Sequence, residues 1–195
     1  INLKGATVIP GLIDSHVHFV RCGINPGHEV RIIETATSIA ELQQMISDRA
    51  RTVPAPDFIT CIGGWNRNGF TEKRLPTLAE LNAAAPRNPV YLSETGGGGQ
   101  AITNASGIIF FQSQGVPVDP STGTLSPTQG LAALQAVQTE DDKQRGTAEV
   151  MDFASSLGLT MIHDHGGLSG LGPYQYALNL WRQRNLKIRQ RPFFW

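Results

Sequence analysis

His16 and His18 stand one residue apart at the end of an apolar run, "VIPGLIDSHVHF" (residues 8–19), in a chain that has only five histidines. In a β-strand, residues two apart point to the same face, so the two imidazoles would project side by side, with Asp14 one step earlier on that face. Neutral imidazoles in that arrangement are good ligands for zinc or a similar divalent ion. A bare His-x-His is more often a chance pair than a metal site, and the surrounding residues have to decide. The spacing recurs in "GLTMIHDHGG", where His163 and His165 share one strand face and Asp164 takes the other. One of these histidines would complete a metal site with the first pair; alternatively the His-Asp-His cluster is a hydrogen-bonded structural network.

The elements that must position these side chains follow from hydrophobic periodicity. Residues 7–13, 58–63, 90–93, 159–163 and 187–193 are short, apolar or β-branched, and mostly bounded by Gly, Pro or Asp, as buried strands are. Helix signals lie between them. Ser38 with Glu41 and Thr77 with Glu80 make capping boxes, followed by Ile39, Leu42 and Ile46 in one case and Leu78 and Leu81 in the other. Leu131, Leu134 and Val137 mark a third helix, and a fourth starts near Thr139 and stops at Gly158. Pro173 opens a stripe of Tyr174, Ala177, Leu178 and Trp181. Alternating strands and helices predict an α/β fold with a parallel sheet, whose chemistry sits at the C-terminal ends of the strands. Residues 96–130, rich in Gly, Ser, Thr and Pro, read as a long excursion loop.

Composition narrows the function classes. The 195 residues, 40% of them hydrophobic, suffice for one globular domain, or two small ones. Sixteen basic residues balance sixteen acidic ones, so overall charge attracts neither nucleic acid nor an anionic membrane. A small neutral molecule or a protein surface is the easier partner. Cys22 and Cys61 are too few and too far apart for a disulfide framework or a metal knuckle, which makes a reducing, cytoplasmic compartment the default. No apolar run reaches the about 18 residues of a membrane span. Gly96–Gln100 lacks the Lys-Ser/Thr of a P-loop, and no strand leads into a G-x-G-x-x-G helix start.

The stretch from Pro10 to His18, "PGLIDSHVH", resembles the first-strand signature of the amidohydrolase superfamily. Gly63-Gly64-Trp65-Asn66, then "RLPTLAELNAAAPRNPVYLSETGGGG", then "GLTMIHDHGG" resemble, in that order, the amidohydrolase family 3 branch related to N-substituted formamide deformylase. The similarity covers nearly the whole chain. It implies a metal-dependent-hydrolase (β/α)8 TIM barrel, of which this chain supplies the N-terminal part, about five βα units. A barrel needs about 250 residues, so residues 1–195 are expected to be one part of a longer domain, without the later strands and the accessory β-sandwich.

The resemblance also implies chemistry: hydrolysis of an amide or formamide-like C–N bond in a small molecule by a metal-activated water. The metal ligands would be His16 and His18, joined by His163 or His165, around a divalent ion, zinc first. Trp65 and Gln100 would line the substrate pocket. The family's two further histidines and the aspartate that serves as ligand and general base come from later strands, so the base is expected outside this chain. Two departures stand out. Gln100 follows a glycine run where relatives have a Gly-His step, and an amide does not exchange a proton near neutral pH. The segment 159–165, taken as the fourth strand, holds no lysine to form a metal-bridging carbamate. Glu94 and Cys61, near strand ends, are weaker ligand candidates. A second function class stays open: a non-catalytic half-barrel module, stable as a homo-oligomer or with a complementary barrel portion.

Overall fold

The computed structural model describes residues 2–94, 99–166 and 172–192. The chain divides into two compact units, one made of Ile1–Ile24 with Lys143–Trp195 and the other of Asn25–Asp142. The first contains β1 (Leu12–Val17), α1 (Phe19–Gly23), most of α6 (Glu140–Ser156), β7 (Leu159–Asp164), α7 (Gln175–Arg182) and β8 (Arg189–Pro192). The second contains β2 (His28–Glu29), α2 (Ile39–Ala50), β3 (Ile59–Ile62), α3 (Leu78–Ala84), β4 (Val90–Ser93), β5 (Ala101–Thr103), α4 (Ala105–Ser113), β6 (Thr124–Leu125) and α5 (Pro127–Val137).

Strands occur at all five expected places, the first moved from residues 7–13 to Leu12–Val17, but they are not five successive strands of one parallel sheet. They fall into two sheets, β1-β7-β8 and β2-β3-β4-β5-β6. β7 pairs directly with β1, in parallel, and β8 pairs in parallel with β7. The second sheet is mixed: β2, β3 and β4 run parallel, whereas β5 and β6 are added antiparallel. The fold is therefore α/β with mixed sheets. Because β7 is the immediate neighbour of β1, an inference about a lysine on a fourth strand does not apply to it.

In the second unit, β4 is buried at every position. Val90 and Leu92 face Leu42, Ile46 and Leu81 from α2 and α3, and Tyr91 faces Phe111 and Ala133 from α4 and α5. A strand covered on both faces has to be a continuous apolar run. Thr77 caps α3 as expected, its hydroxyl accepting from the Glu80 N–H and the Glu80 carboxylate accepting from the Thr77 N–H. At α2 the second arm is displaced by one residue: Ser38 accepts from the Glu41 N–H, but the Glu41 carboxylate accepts from the N–H and hydroxyl of Thr37. Residues 96–130 are not a loop. They carry β5, α4 and β6, with Asn104 capping α4 and bonding Val90, Ala85 and Asn88 through its buried amide.

Two helices bury only part of their expected apolar stripes: Val137, Tyr174 and Ala177 are buried, but Leu131, Leu178 and Trp181 are not. α5 buries Gly130, Ala133 and Val137 and leaves Leu131 51% exposed. Small residues let it approach the sheet, where the Tyr91 hydroxyl donates to the Gly130 carbonyl at 2.8 Å. α7 buries Tyr176, Ala177 and Leu180, the last two against Ile162 and Ile188, whereas Leu178 and Trp181 are 45% and 63% exposed. Pro173 lies in a 3-10 turn before the helix rather than opening it.

The first unit is tied at one point. Asp164 is fully buried at the end of β7. Its Oδ2 accepts from the Val20 N–H of α1 at 2.9 Å and from the Gln190 side chain of β8 at 3.0 Å, and its Oδ1 accepts from the Gly166 N–H at 2.8 Å. Gly11 is required just before β1, because a Cβ there would meet the Thr160 side chain at 2.2 Å.

Two stability predictions follow from these contacts. Asp164→Asn turns an acceptor into a donor facing N–H groups, and is expected to cost about 2 kcal/mol of unfolding free energy in a denaturant titration. Glu80, whose carboxyl is drawn down to about 2 first by the Arg74 guanidinium and then by the Thr77 N–H and hydroxyl, stabilises the fold above the ordinary carboxylate range and loses that effect as pH falls toward 2. Glu80→Gln should therefore cost about 1 kcal/mol at pH 7, after allowing for solvent screening, and the gap to the unchanged protein should close on acidification from pH 5 to 2.

Candidate functional site

The pairing of β1 with β7 is irregular where the histidines stand. Asp14 pairs with Ile162 and Val17 with Asp164, so three steps along β1 match two along β7, a bulge at Ser15 and His16. Ile162 and Asp164 face the helices and are fully buried. Asp14 and Val17 therefore both belong to the helix-covered side, while His16 and His18 take the other. The expected sharing of one face by Asp14, His16 and His18 fails at Asp14, because the extra residue reverses the alternation. The Asp14 carboxylate instead accepts from the backbone N–H of His16 at 3.0 Å, holding the bulge.

His16 stacks on His165 with ring centroids 4.3 Å apart and lies 5.8 Å from His18. Backbone bonds set this geometry. The His165 N–H donates to the Val17 carbonyl at 2.9 Å, and the His18 carbonyl accepts from Cys22 in the first turn of α1. His165 Nε2 lies 3.2 Å from the Ser15 carbonyl. A carbonyl only accepts, so Nε2 is the donor in that contact. His163 is half-buried and lies one two-residue step earlier on β7, opposite Arg191 of β8.

The donor set suits a divalent ion: three imidazoles at the strand ends, His16 and His18 both exposed. Its present arrangement does not form a ligand shell. The rings are stacked, with interplanar angles of 12° and 17°, so their in-plane lone pairs run alongside one another instead of meeting. Among the described residues no group of three or more His, Cys, Asp or Glu is arranged to hold a metal ion. Rotation of the exposed His16 and His18 side chains is what coordination would require.

The remaining candidates belong to the second unit. Trp65 is buried in its core and stacks on Phe70 at 5.7 Å. Glu94 is buried and held by Arg67, through the backbone N–H at 2.7 Å and two guanidinium bonds at 3.2 and 2.5 Å. Burial pushes its carboxyl up, but the Arg67 hydrogen bonds outweigh that and the net shift is downward. Gln100, half-buried, accepts from the same guanidinium at 2.8 Å. Gly96, Gly97 and Gly98 of the glycine run lie outside the described residues. Cys61 is fully buried, and burial, reinforced by Glu29 and Glu34, drives its thiol well above the ordinary range, which rules against a thiolate ligand. Neither Cys22 nor Cys61 is in a disulfide among the described residues. Two residues escaped the sequence reading: Arg189 and Arg191, exposed on β8. Their alternation about Gln190 in "RQR" is the signal that places them on one face.

The profile of the Amidohydrolase family matches residues 1–190. Protein LONG AFTER FAR-RED 3 of Arabidopsis thaliana is 28% identical over 180 residues, covering 85% of this chain and 30% of that protein. N-substituted formamide deformylase of Arthrobacter pascens is 28% identical over 92 residues, covering 47% of this chain and 17% of that protein. Among solved structures, an uncharacterized metal-dependent hydrolase from Pyrococcus horikoshii OT3 superposes with a TM-score of 0.58 at 20% identity, covering 95% of this chain and 36% of that one. The chain thus spans between 17% and 36% of the length of these relatives. With the family profile matched from residue 1 to residue 190, the chain belongs to the Amidohydrolase family.

Proposed function

We propose that the protein is a metal-dependent hydrolase of C–N bonds in small amide or formamide-like molecules, in which His16 and His18 hold a divalent ion, zinc first, with His165 as third ligand. The observation that supports it most is the convergence of these three imidazoles at adjacent strand ends, in a chain of this family. When bound, such an ion lowers the pKa of a coordinated water toward neutrality and polarises a carbonyl. In the reaction, water oxygen bonds to the carbonyl carbon, the C–N bond breaks, and a proton passes to the leaving nitrogen. The residues of this chain hold and orient. The Ser15 carbonyl, accepting from His165 Nε2, would orient that ring for a ligand role through its other nitrogen. Asp164, engaged by three N–H donors, is a positioning residue and not a ligand. Glu94 and Gln100 are both bonded to Arg67 and take no part in holding the ion. No described residue of this chain is assigned as the general base.

A second reading rests on apolar exposure. Val8, Ile9, Leu12 and Ile13 are 72%, 69%, 52% and 55% exposed along and before β1, as in a module that completes its core against a second copy or a complementary barrel portion. Metal content and turnover separate the two. On the hydrolase reading, the full-length protein carries about one divalent ion per site and hydrolyses an amide. The His16→Ala/His18→Ala double variant then loses the ion by elemental analysis and at least ~100-fold of kcat/KM. His165→Ala weakens metal binding by about 10–100-fold, while His163→Ala leaves metal content unchanged. Full metal content in the double variant would refute the assignment.

A further inference from the structure

The sheet β1-β7-β8 has one face packed under helices and one face left open, and their charges differ. Register decides which side chains share a face. Met161 pairs with both Ile13 and Arg189, and His163 pairs with Arg191. Residues 161, 163 and 165 alternate with the buried Ile162 and Asp164, so Met161, His163 and His165 lie on the open side, and Arg189 and Arg191 lie there with them. Gln190, between the arginines, points the other way and bonds Asp164. With His16 and His18, four of the chain's five histidines and two arginines occupy this face.

Among the described residues of these strands, no carboxylate shares it. Asp14 and Asp164, the acidic residues of these strands, both belong to the covered side. Arg189 and Arg191 are exposed, and no hydrogen bond or ion pair engages either guanidinium among the described residues. Two like charges one two-residue step apart, about 6.6 Å along a parallel strand, repel each other without compensation. A guanidinium fork matches a carboxylate in a bidentate way, which makes an anion the natural complement.

We propose that this face binds the carboxylate of an anionic substrate, with Arg191 as its principal anchor and Arg189 beside it, so that the preferred substrates are amides carrying a carboxylate a few bonds from the scissile C–N bond. The proposal rests on the hydrolase reading for the position of that bond. Arg191 is level with His163, and His165 lies one two-residue step further, about 6.6 Å toward the strand ends. A carbonyl at the His16–His165 pair therefore leaves a carboxylate within reach of the Arg191 side chain. Because the face is open to water, the attraction is screened by salt.

The test compares N-formyl amino acids with the corresponding neutral N-formyl amino acid amides, using the full-length protein. Binding is measured by calorimetry and hydrolysis by amine release. The carboxylates are expected to bind at least ~10-fold more tightly than the amides, a difference of about 1.4 kcal/mol, with a preference that shrinks as ionic strength rises. Arg191→Gln should bring the preference ratio to about one, and Arg191→Lys should restore part of it. A ratio near one in the unchanged protein, a ratio untouched by Arg191→Gln, or no binding of either series overturns the proposal. So does a fall in Tm in Arg191→Gln with the ratio intact, since the arginine would then be paired with a protein carboxylate. Carboxylate binding that is lost in Arg191→Gln but never accompanied by hydrolysis sustains the anion site and defeats the hydrolase reading. Hydrolysis of both series without preference does the reverse.

Discussion

A carboxylate with no access to water holds the end of the β1-β7-β8 sheet together. Asp164 accepts from α1, from β8 and from the turn after its own strand, so one side chain bridges segments that lie up to 144 positions apart in sequence. Burying a carboxylate is costly, and the cost is offset only where N–H donors fill its lone-pair directions. Here three do. The consequence for the site is geometric, since fixing Asp164 on the covered side fixes His163 and His165 on the other, and fixing Val20 fixes the start of α1 that carries His18.

The bulge at Ser15 and His16 is the second constraint. Without it, Asp14 would stand beside the histidines as a carboxylate on the open face. With it, Asp14 turns toward the covered side and uses its oxygen to hold the His16 backbone. A single inserted residue therefore separates the acids from the bases of this sheet. The open face is left with imidazoles and guanidinium groups, and its field is of one sign. Such a surface favours anions and neutral-ligand metal chemistry over carboxylate-rich cation sites.

What the sequence made legible follows from where burial dictates pattern. β4 was readable to the residue because helices cover it on both sides, and α3 because its cap satisfies both arms of the box. Ile39, Leu42 and Ile46 of α2 are buried as their spacing implies. Pairing was not legible. Hydrophobic period says that a segment is a strand, but nothing in residues 159–164 names Leu12–Val17 as the partner rather than β4, which precedes it. The segment 96–130 misled for a related reason: β5 and β6 are two or three residues long, and α4 begins from an Asn104 cap amid Gly, Ser and Thr, the composition of a loop. On α5 and α7 the large apolar residues Leu131, Leu178 and Trp181 drew attention but stay exposed, whereas close packing selected Gly130 and Ala133 on α5 and, as its place in the stripe implied, Ala177 on α7. The histidine spacing was informative at His16, His18 and His165, and the bulge at Asp14 lay beyond what alternation alone can reveal.

The two units also differ in how far their polar groups are already engaged. Around Glu94, the carboxylate, the Arg67 guanidinium and the Gln100 amide bond one another. A ligand entering there would have to break charge-assisted bonds that are worth more than ordinary ones. On the open sheet face the opposite holds. Arg189 and Arg191 are exposed, as are His16 and His18, so an anion reaching the arginines displaces solvent, whereas a metal ion has to part the His16–His165 stack. Satisfied networks stabilise a fold, and uncompensated groups of one sign, held in register by a buried carboxylate, are what remains for recognition. The polar groups still open to a ligand thus lie on the first unit, whereas residues 25–142 form a separate compact unit with two hydrophobic cores of their own.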